Sequence, residues 1–456
     1  MTGRLDLRSA WFWFSLATLV ILCVFVLYPL LNVLASSFGR ARADGMTGWQ
    51  VLFAEPKYLR AIGNTILLGV AVTIASTIIG VPLAYFTARF SYPGKTLIAV
   101  LPLTTLIVPE VIAAQTWLMM LGNNGLLTRT LSDWGIGLPS FYGWFGLVTA
   151  MTFIYYTYVY IGTLAAIRSF DVQLEQAAQS LGTTPAMSRA KVMLPVVLPS
   201  ILGSALLVFT LVVGNFAIAT ILGHKVELLS VITYQAFVSE VGADPVMQST
   251  LASVSITLVA IVLFVQRFII GRGKYEITLG RGAVPERLSG FSALLLAGVA
   301  AIVVVISLLP LVTVIAGAFT RARGPVMRWG EWTTANLERV LINAPDPVIN
   351  TLVYAGIATV LSLIFSTGVS YLLVKKRSLL TPAIDYLASL PLALSGTVIG
   401  IGLVMTFNQG WLSLSGTAAI IVLAYLVRRL PFGIRNASST LFNVPNSIED
   451  ASVSLC

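Results

Sequence analysis

Side chains able to do chemistry are sparse in this sequence, and their placement argues against most kinds of catalysis. The 456 residues include one histidine, His224, and two cysteines, Cys23 and Cys456. A metal centre or a nucleophile with its base needs several such groups together. One histidine and two distant thiols offer neither that nor a disulfide framework. No Gly-rich loop ending in Lys-Ser or Lys-Thr is visible, so the chain lacks the usual cradle for nucleotide phosphates. Polar residues inside apolar runs are the remaining candidates. Glu110 and Gln115 lie in "LIVPEVIAAQ", and Asn215 lies in a later apolar run. An ionisable group at membrane depth is a functional candidate by default, although Glu110 follows Pro109 and also fits a helix break near the outer surface. Gln115 and Asn215 fit either a lining of a polar pathway or hydrogen bonds between helices.

One longer polar stretch interrupts the apolar sequence: "EQAAQSLGTTPAMSRAKVMLP", from Glu175 to Pro195. Asp171 is placed to N-cap a short helix, "VQLEQAAQSL", with Glu175 near its positive end. Gly182 suits the left-handed position that stops the helix. Thr184 and Pro185 then supply a cap and a first-turn proline for a second short helix, "PAMSRAKVM". Pro195 marks the approach to the next apolar run, and the small pair Ala177–Ala178 permits close approach of another surface. The spacing predicts a helix–turn–helix elbow at the membrane surface. A bare connector needs no second helix, so a docking surface is the better reading.

The elements that must position this elbow are membrane spans. Hydrophobic residues make up 57% of the chain and charged residues only 10%, against about a quarter charged in soluble domains. Ten apolar runs are each long enough to cross a bilayer. They lie near 11–38, 62–87, 97–121, 141–167, 197–222, 250–270, 288–318, 349–374, 382–407 and 414–434. Basic residues concentrate in alternate loops, including Arg89, Lys95, Arg168, Arg189, Lys191 and Lys375–Arg377. The positive-inside rule therefore puts the N-terminus and the elbow in the cytoplasm. The formal charge of +10 reflects that topology and does not point to nucleic acid.

The chain also repeats itself. "PLLNVLASSFGRAR" (Pro29–Arg42) aligns with "PLVTVIAGAFTRAR" (Pro310–Arg323). "NTILLGVAVTIASTIIGVPLAY" (Asn64–Tyr85) aligns with "NTLVYAGIATVLSLIFSTGVSY" (Asn350–Tyr371), and Leu-Pro-Leu recurs at 101–103 and 390–392. Polar landmarks align along with apolar ones, so a whole bundle is duplicated. An even number of spans per copy makes the repeat parallel.

The stretch at 175–195 resembles the EAA loop of permeases of type I binding-protein-dependent ABC importers. Ala177, Ala178, Gly182, Val192, Leu194 and Pro195 stand at that motif's spacings; at its acidic position stands Gln176, with Glu175 just before. A second, partial match is "NSIEDASVSLC" from Asn446, where Glu449, Asp450 and Ala451 occupy the positions of Glu175, Gln176 and Ala177. It breaks off at Cys456, so a truncation is expected, with the rest of the elbow and two further apolar runs to follow in an extended frame.

The resemblance implies an all-α, polytopic membrane protein, a tandem parallel repeat of a six-span ABC importer permease unit with its second copy incomplete. The first bundle would occupy 1–275 with its coupling loop at 169–196. A cytoplasmic link would cover 276–287 and the second bundle 288–456. In that family the elbow docks on a cytoplasmic ATPase. The expected partners are two copies of an ABC ATPase subunit, which hydrolyse the ATP, and a periplasmic binding protein that delivers the solute; the chain itself would bind no cofactor and do no covalent chemistry. The resemblance is greatest to fused permeases of ferric-iron uptake, with 2-aminoethylphosphonate, thiamine or polyamine permeases as alternatives. Two other classes compete. A secondary transporter should carry ionisable residues near the midplane, and a membrane-embedded enzyme should carry a catalytic cluster.

Overall fold

In a bilayer a spanning segment must satisfy its own backbone polar groups, and long apolar runs do so as helices. The computed structural model describes residues 9–42, 44–238, 244–272, 285–323, 326–409, 412–442 and 444. In chain order the helices are α1 (Ala10–Gly39), α2 (Gly48–Ala54), α3 (Pro56–Arg89), α4 (Lys95–Leu106), α5 (Glu110–Leu121), α6 (Leu126–Asp133), α7 (Trp144–Ser169) and α8 (Val172–Ser180). They continue as α9 (Pro185–Val213), α10 (Ala217–Leu222), α11 (Leu229–Val238), α12 (Pro245–Arg272), α13 (Gly290–Ala318), α14 (Asp346–Val374), α15 (Thr381–Ala393), α16 (Gly396–Thr406) and α17 (Ala418–Phe442), with a short unnumbered helical stretch from Ala335 through the π turn Arg339–Asn343 before α14. Among the described residues strands are confined to a short parallel pair, Phe90–Ser91 with Glu286–Arg287, and a hairpin of Thr320–Arg323 with Val326–Trp332. Among the described residues seven helices are long and apolar enough to cross a membrane, or up to nine spans if each of two bent pairs counts as one.

Three of the expected spans are not single straight helices. The runs at 97–121 and 382–407 are each two helices bent by 109°, α4 with α5 and α15 with α16. Both bends follow the repeated Leu-Pro-Leu. In the first, Pro109 biases Val108 away from helix and is itself extended, with ψ 137°. In the second, Ser395 is extended and its hydroxyl accepts from the Val398 N–H at 3.1 Å, starting a new helix. The run at 197–222 stops at Val213 and resumes at Ala217 as α10. The run at 414–434 becomes α17, which starts later and carries Arg428, Arg429 and Arg435.

Contacts group the chain into two compact units. The larger unit comprises Pro56–Ile232 with Leu258–Arg339, and the smaller one Met1–Glu55, Thr233–Thr257 and Val340–Cys456. In the larger unit α3, α7 and α9 pack together. A Cβ on Gly69 would come within 2.7 Å of the Phe209 ring on α9, and one on Gly80 within 2.8 Å of the Tyr156 carbonyl on α7, so α3 is held close on both sides. Its core joins Leu68, Val72, Trp117, Phe141, Met151, Tyr155 and Val208. The unit also takes in α13, whose Ala293, Ala300 and Val304 pack with Leu83, Ala84, Tyr156 and Tyr160.

In the smaller unit α1 packs on α15 and α16 through Leu22, Val26, Leu30 and Val33, against Ile384, Leu387, Val398 and Leu403. Asn32 donates to the Thr406 hydroxyl at 3.1 Å. The opening helix of each sequence copy thus belongs to the unit built mainly from the other. Repeats record chain duplication, whereas units form wherever complementary apolar faces meet. Most of the expected link at 276–287 lies outside the described residues.

Candidate functional site

The elbow forms from local chemistry. The Asp171 carboxylate accepts from the Gln173 N–H at 3.0 Å, capping α8. At the other end Gly182 adopts φ +91°. Its N–H donates to the Gln179 carbonyl at 2.9 Å, and the Thr183 N–H reaches back to Ala178 at 3.2 Å, the paired bonds that close a helix around a left-handed residue. The Thr184 hydroxyl accepts from the Met187 N–H at 3.3 Å, with Pro185 in the first turn.

The second helix differs from its expected form. It does not end before Pro195 but runs on as α9 through a π-helical turn at Arg189–Met193. Proline lacks an N–H and its ring crowds the carbonyl four residues back. A wider turn just before Pro195 accommodates both.

Tertiary contacts then sort the elbow's residues. Glu175 is buried, its side chain 5% exposed, in an ion pair with Arg89 at the end of α3, itself 10% exposed. Arg89 also lies 3.1 Å from the Met193 sulfur and over the Phe170 ring. The Ser188 hydroxyl donates to the Glu175 carbonyl at 3.2 Å and ties the two arms together. Gln176, Ala177 and Gly182 are exposed, Ala178 and Val192 half-buried, Leu194 exposed and Pro195 half-buried. Leu174, Ala177, Ala178 and Leu181 fall at i, i+3, i+4 and i+7, an apolar stripe, and Leu181 is 87% exposed. This helix is inverted relative to an ordinary amphipathic one: its charged residue is inside and its apolar stripe outside.

In the sequence alone Arg89 stands out only as a topology signal. The offset that aligns Asn64 with Asn350 places Lys375 at the position of Arg89, and Lys375 donates to the Val444 carbonyl at 2.7 Å. Glu449, Asp450 and Ala451 lie outside the described residues.

Glu110 and Asn215 come together; Gln115 does not join them and is exposed on α5. Glu110 opens α5 just after the bend, where the helix dipole favours a carboxylate. The Tyr155 hydroxyl donates to its Oε1 at 2.7 Å, and Asn215 Nδ2 donates to its Oε2 at 2.8 Å. The same Nδ2 donates to the Tyr155 oxygen at 2.7 Å, while Asn215 Oδ1 accepts from the Ile218 N–H at 2.9 Å and starts α10. Asn215 therefore joins helices and spends its donors doing so. Tyr155 was missed. Its signal was the run "YYTYVY" in a membrane span, because each buried phenol needs a partner; Tyr156 finds Ser307 at 3.0 Å and Tyr160 the Ala99 carbonyl at 3.1 Å. Tyr155→Phe leaves one Glu110 oxygen without its donor. We expect it to cost about 1.5–3 kcal/mol, seen as a lower unfolding midpoint in detergent.

Residues 80–274, which include the elbow and the Glu110 cluster, match the family described as "Binding-protein-dependent transport system inner membrane component". Over 157 residues, 34% of this chain and 68% of the relative, the sequence is 30% identical to a molybdenum transport system permease protein of Haemophilus influenzae. The chain belongs to this family of ABC importer permeases. It is a multi-pass inner-membrane permease subunit, and its similarity to other permeases extends well beyond the family match. It is 24% identical to the ferric transport system permease protein of Actinobacillus pleuropneumoniae, over 96% of this chain and 65% of that one. It is 25% identical to an Fe(3+)-transport system permease protein of Haemophilus influenzae, over 97% of this chain and 81% of that one. Among solved structures, a bacterial ABC transporter involved in the import of the acidic polysaccharide alginate matches with TM-score 0.37 and 19% identity, over 64% of this chain and 91% of that one.

Proposed function

We propose that the permease imports ferric iron, delivered by a periplasmic binding protein and driven by two cytoplasmic ABC ATPase subunits that dock on its elbows. The observation that carries the coupling role is the exposed apolar stripe of α8, held outward because Glu175 is gripped from behind by Arg89. A stripe of this kind in a short, capped helix fits a hydrophobic groove on a partner. The N-terminus and elbow are assigned to the cytoplasm by the basic residues of their loops. ATP binding would draw the elbows together and turn the pathway outward, and the chain itself would contribute no covalent step and no cofactor. Iron as cargo rests on the names of the two ferric-transport relatives that align with nearly the whole chain. Selectivity would sit mainly in the binding protein.

The test uses a deletion strain under iron limitation. Labelled iron uptake is measured beside 2-aminoethylphosphonate, thiamine, molybdate and sulfate, and the tagged permease is purified to see whether an ATPase subunit follows. Loss of iron uptake with a copurifying ATPase is the expected result. Unchanged iron uptake with loss of another solute would overturn the cargo and leave the coupling role. A permease that never retains an ATPase would overturn the coupling role itself.

A further inference from the structure

Helix α3 is gripped by polar contacts at both ends. At one end Arg89 touches the elbow at three places: the Phe170 ring before it, the Glu175 carboxylate in its first helix and the Met193 sulfur in its π turn. At the other end the helix holds the segment 227–229. Asn64 Nδ2 donates to the Glu227 carbonyl at 3.1 Å, the Thr65 hydroxyl accepts from the Leu229 N–H at 2.9 Å, and Arg60 pairs with the Glu227 carboxylate at 3.0 Å. The Arg60 pair is exposed and worth little. Thr65 and Leu229 are buried, so that bond is shielded from water and is the firmer of these contacts.

From Thr65 to Arg89 the helix spans about 36 Å. At Gly69 and Gly80 it lies close against α9 and α7. The elbow is continuous in chain with α9 and is joined to α7 by a short link, but it meets α3 only through side chains.

We infer that α3 is the rod that carries movement of the elbow to the 227–229 segment, with Arg89, Glu175 and Thr65 as the positioning residues that attach its two ends; this rests on the proposed docking of an ATPase at the elbow. The competing path is α9, which would move the far side without any grip by Arg89. A helix fastened at both ends passes a displacement along its axis because its backbone hydrogen bonds resist stretching; Pro82 removes one of them, next to the close approach at Gly80, and a physical coupling claim requires showing that both ends bias one element.

The experiment follows a nitroxide on Lys225→Cys, an exposed position beside that segment, in the full complex with its ATPase subunit. Spectra are compared between nucleotide-free and vanadate-trapped states, so no cargo is needed. The change seen in the wild-type background should fall at least fivefold in Glu175→Gln and in Thr65→Val, while in Thr65→Val, which lies outside the elbow, copurified ATPase and basal hydrolysis stay within twofold. The double variant should be no worse than the worse single, since both cut one path. The exchanged pair, Arg89→Glu with Glu175→Arg, should restore at least half of the change.

An undiminished change in either single variant would overturn the inference, as would multiplicative loss in the double. Parallel loss of copurified ATPase in Thr65→Val would reduce that bond to a folding role and overturn the inference too. A wild-type complex that retains no ATPase would instead count against the proposed function.

Discussion

Arg89→Ala is expected to release the elbow from the bundle. The substitution leaves the Glu175 carboxylate, 5% exposed, without its cation. Stranding one member of a buried ion pair costs about 3–5 kcal/mol, which exceeds what a nine-residue helix with one good cap at each end can offset. Hydrogen exchange should show the amides of α8 and of Arg189–Met193 losing most of their protection, with little change in α13. Adding Glu175→Gln to the same chain should recover most of that protection, because the uncompensated charge is gone and only a neutral bond is lost. Full protection in Arg89→Ala alone would show that Glu175 finds water instead, and that the pair is not what holds the elbow.

The second large effect is expected at Gly182. Its φ of +91° is open to glycine, whereas a left-handed conformation costs other residues roughly 1–2 kcal/mol and is worst for β-branched ones. No atom lies within 4 Å of a Cβ built there, so the penalty of Gly182→Val lies in the backbone and not in crowding. Escape to negative φ would break the bonds from Gly182 to Gln179 and from Thr183 to Ala178 and move the start of α9. ATPase copurification and uptake should each fall at least tenfold while membrane insertion stays normal. Gly182→Asn, which tolerates the left-handed region, should retain most of both. Full transport by Gly182→Val would remove the elbow's geometry from the coupling account.

These two positions divide cleanly between what sequence shows and what it hides. Gly182, Asp171, Thr184 and Pro185 were legible because capping is local: each acts on backbone groups within about five residues, and its residue type is the signal. The apolar runs and the duplication were legible for the same kind of reason, since hydropathy over a window and aligned landmarks need no knowledge of packing. The family followed from the spaced elbow motif.

Only the tertiary structure could pair Arg89 with Glu175, 86 residues apart, or bring Tyr155 and Asn215 onto Glu110. It alone placed α1 and α13 in units built mainly from the other sequence copy. It bent two expected spans into angled pairs and joined the elbow's second arm to the following span through a π turn. An apolar helix shows from its sequence that it needs a cover and not which neighbour supplies it. A charged or phenolic side chain likewise requires a partner without naming one. Those choices depend on which surfaces fit, and fit is settled only when the helices pack.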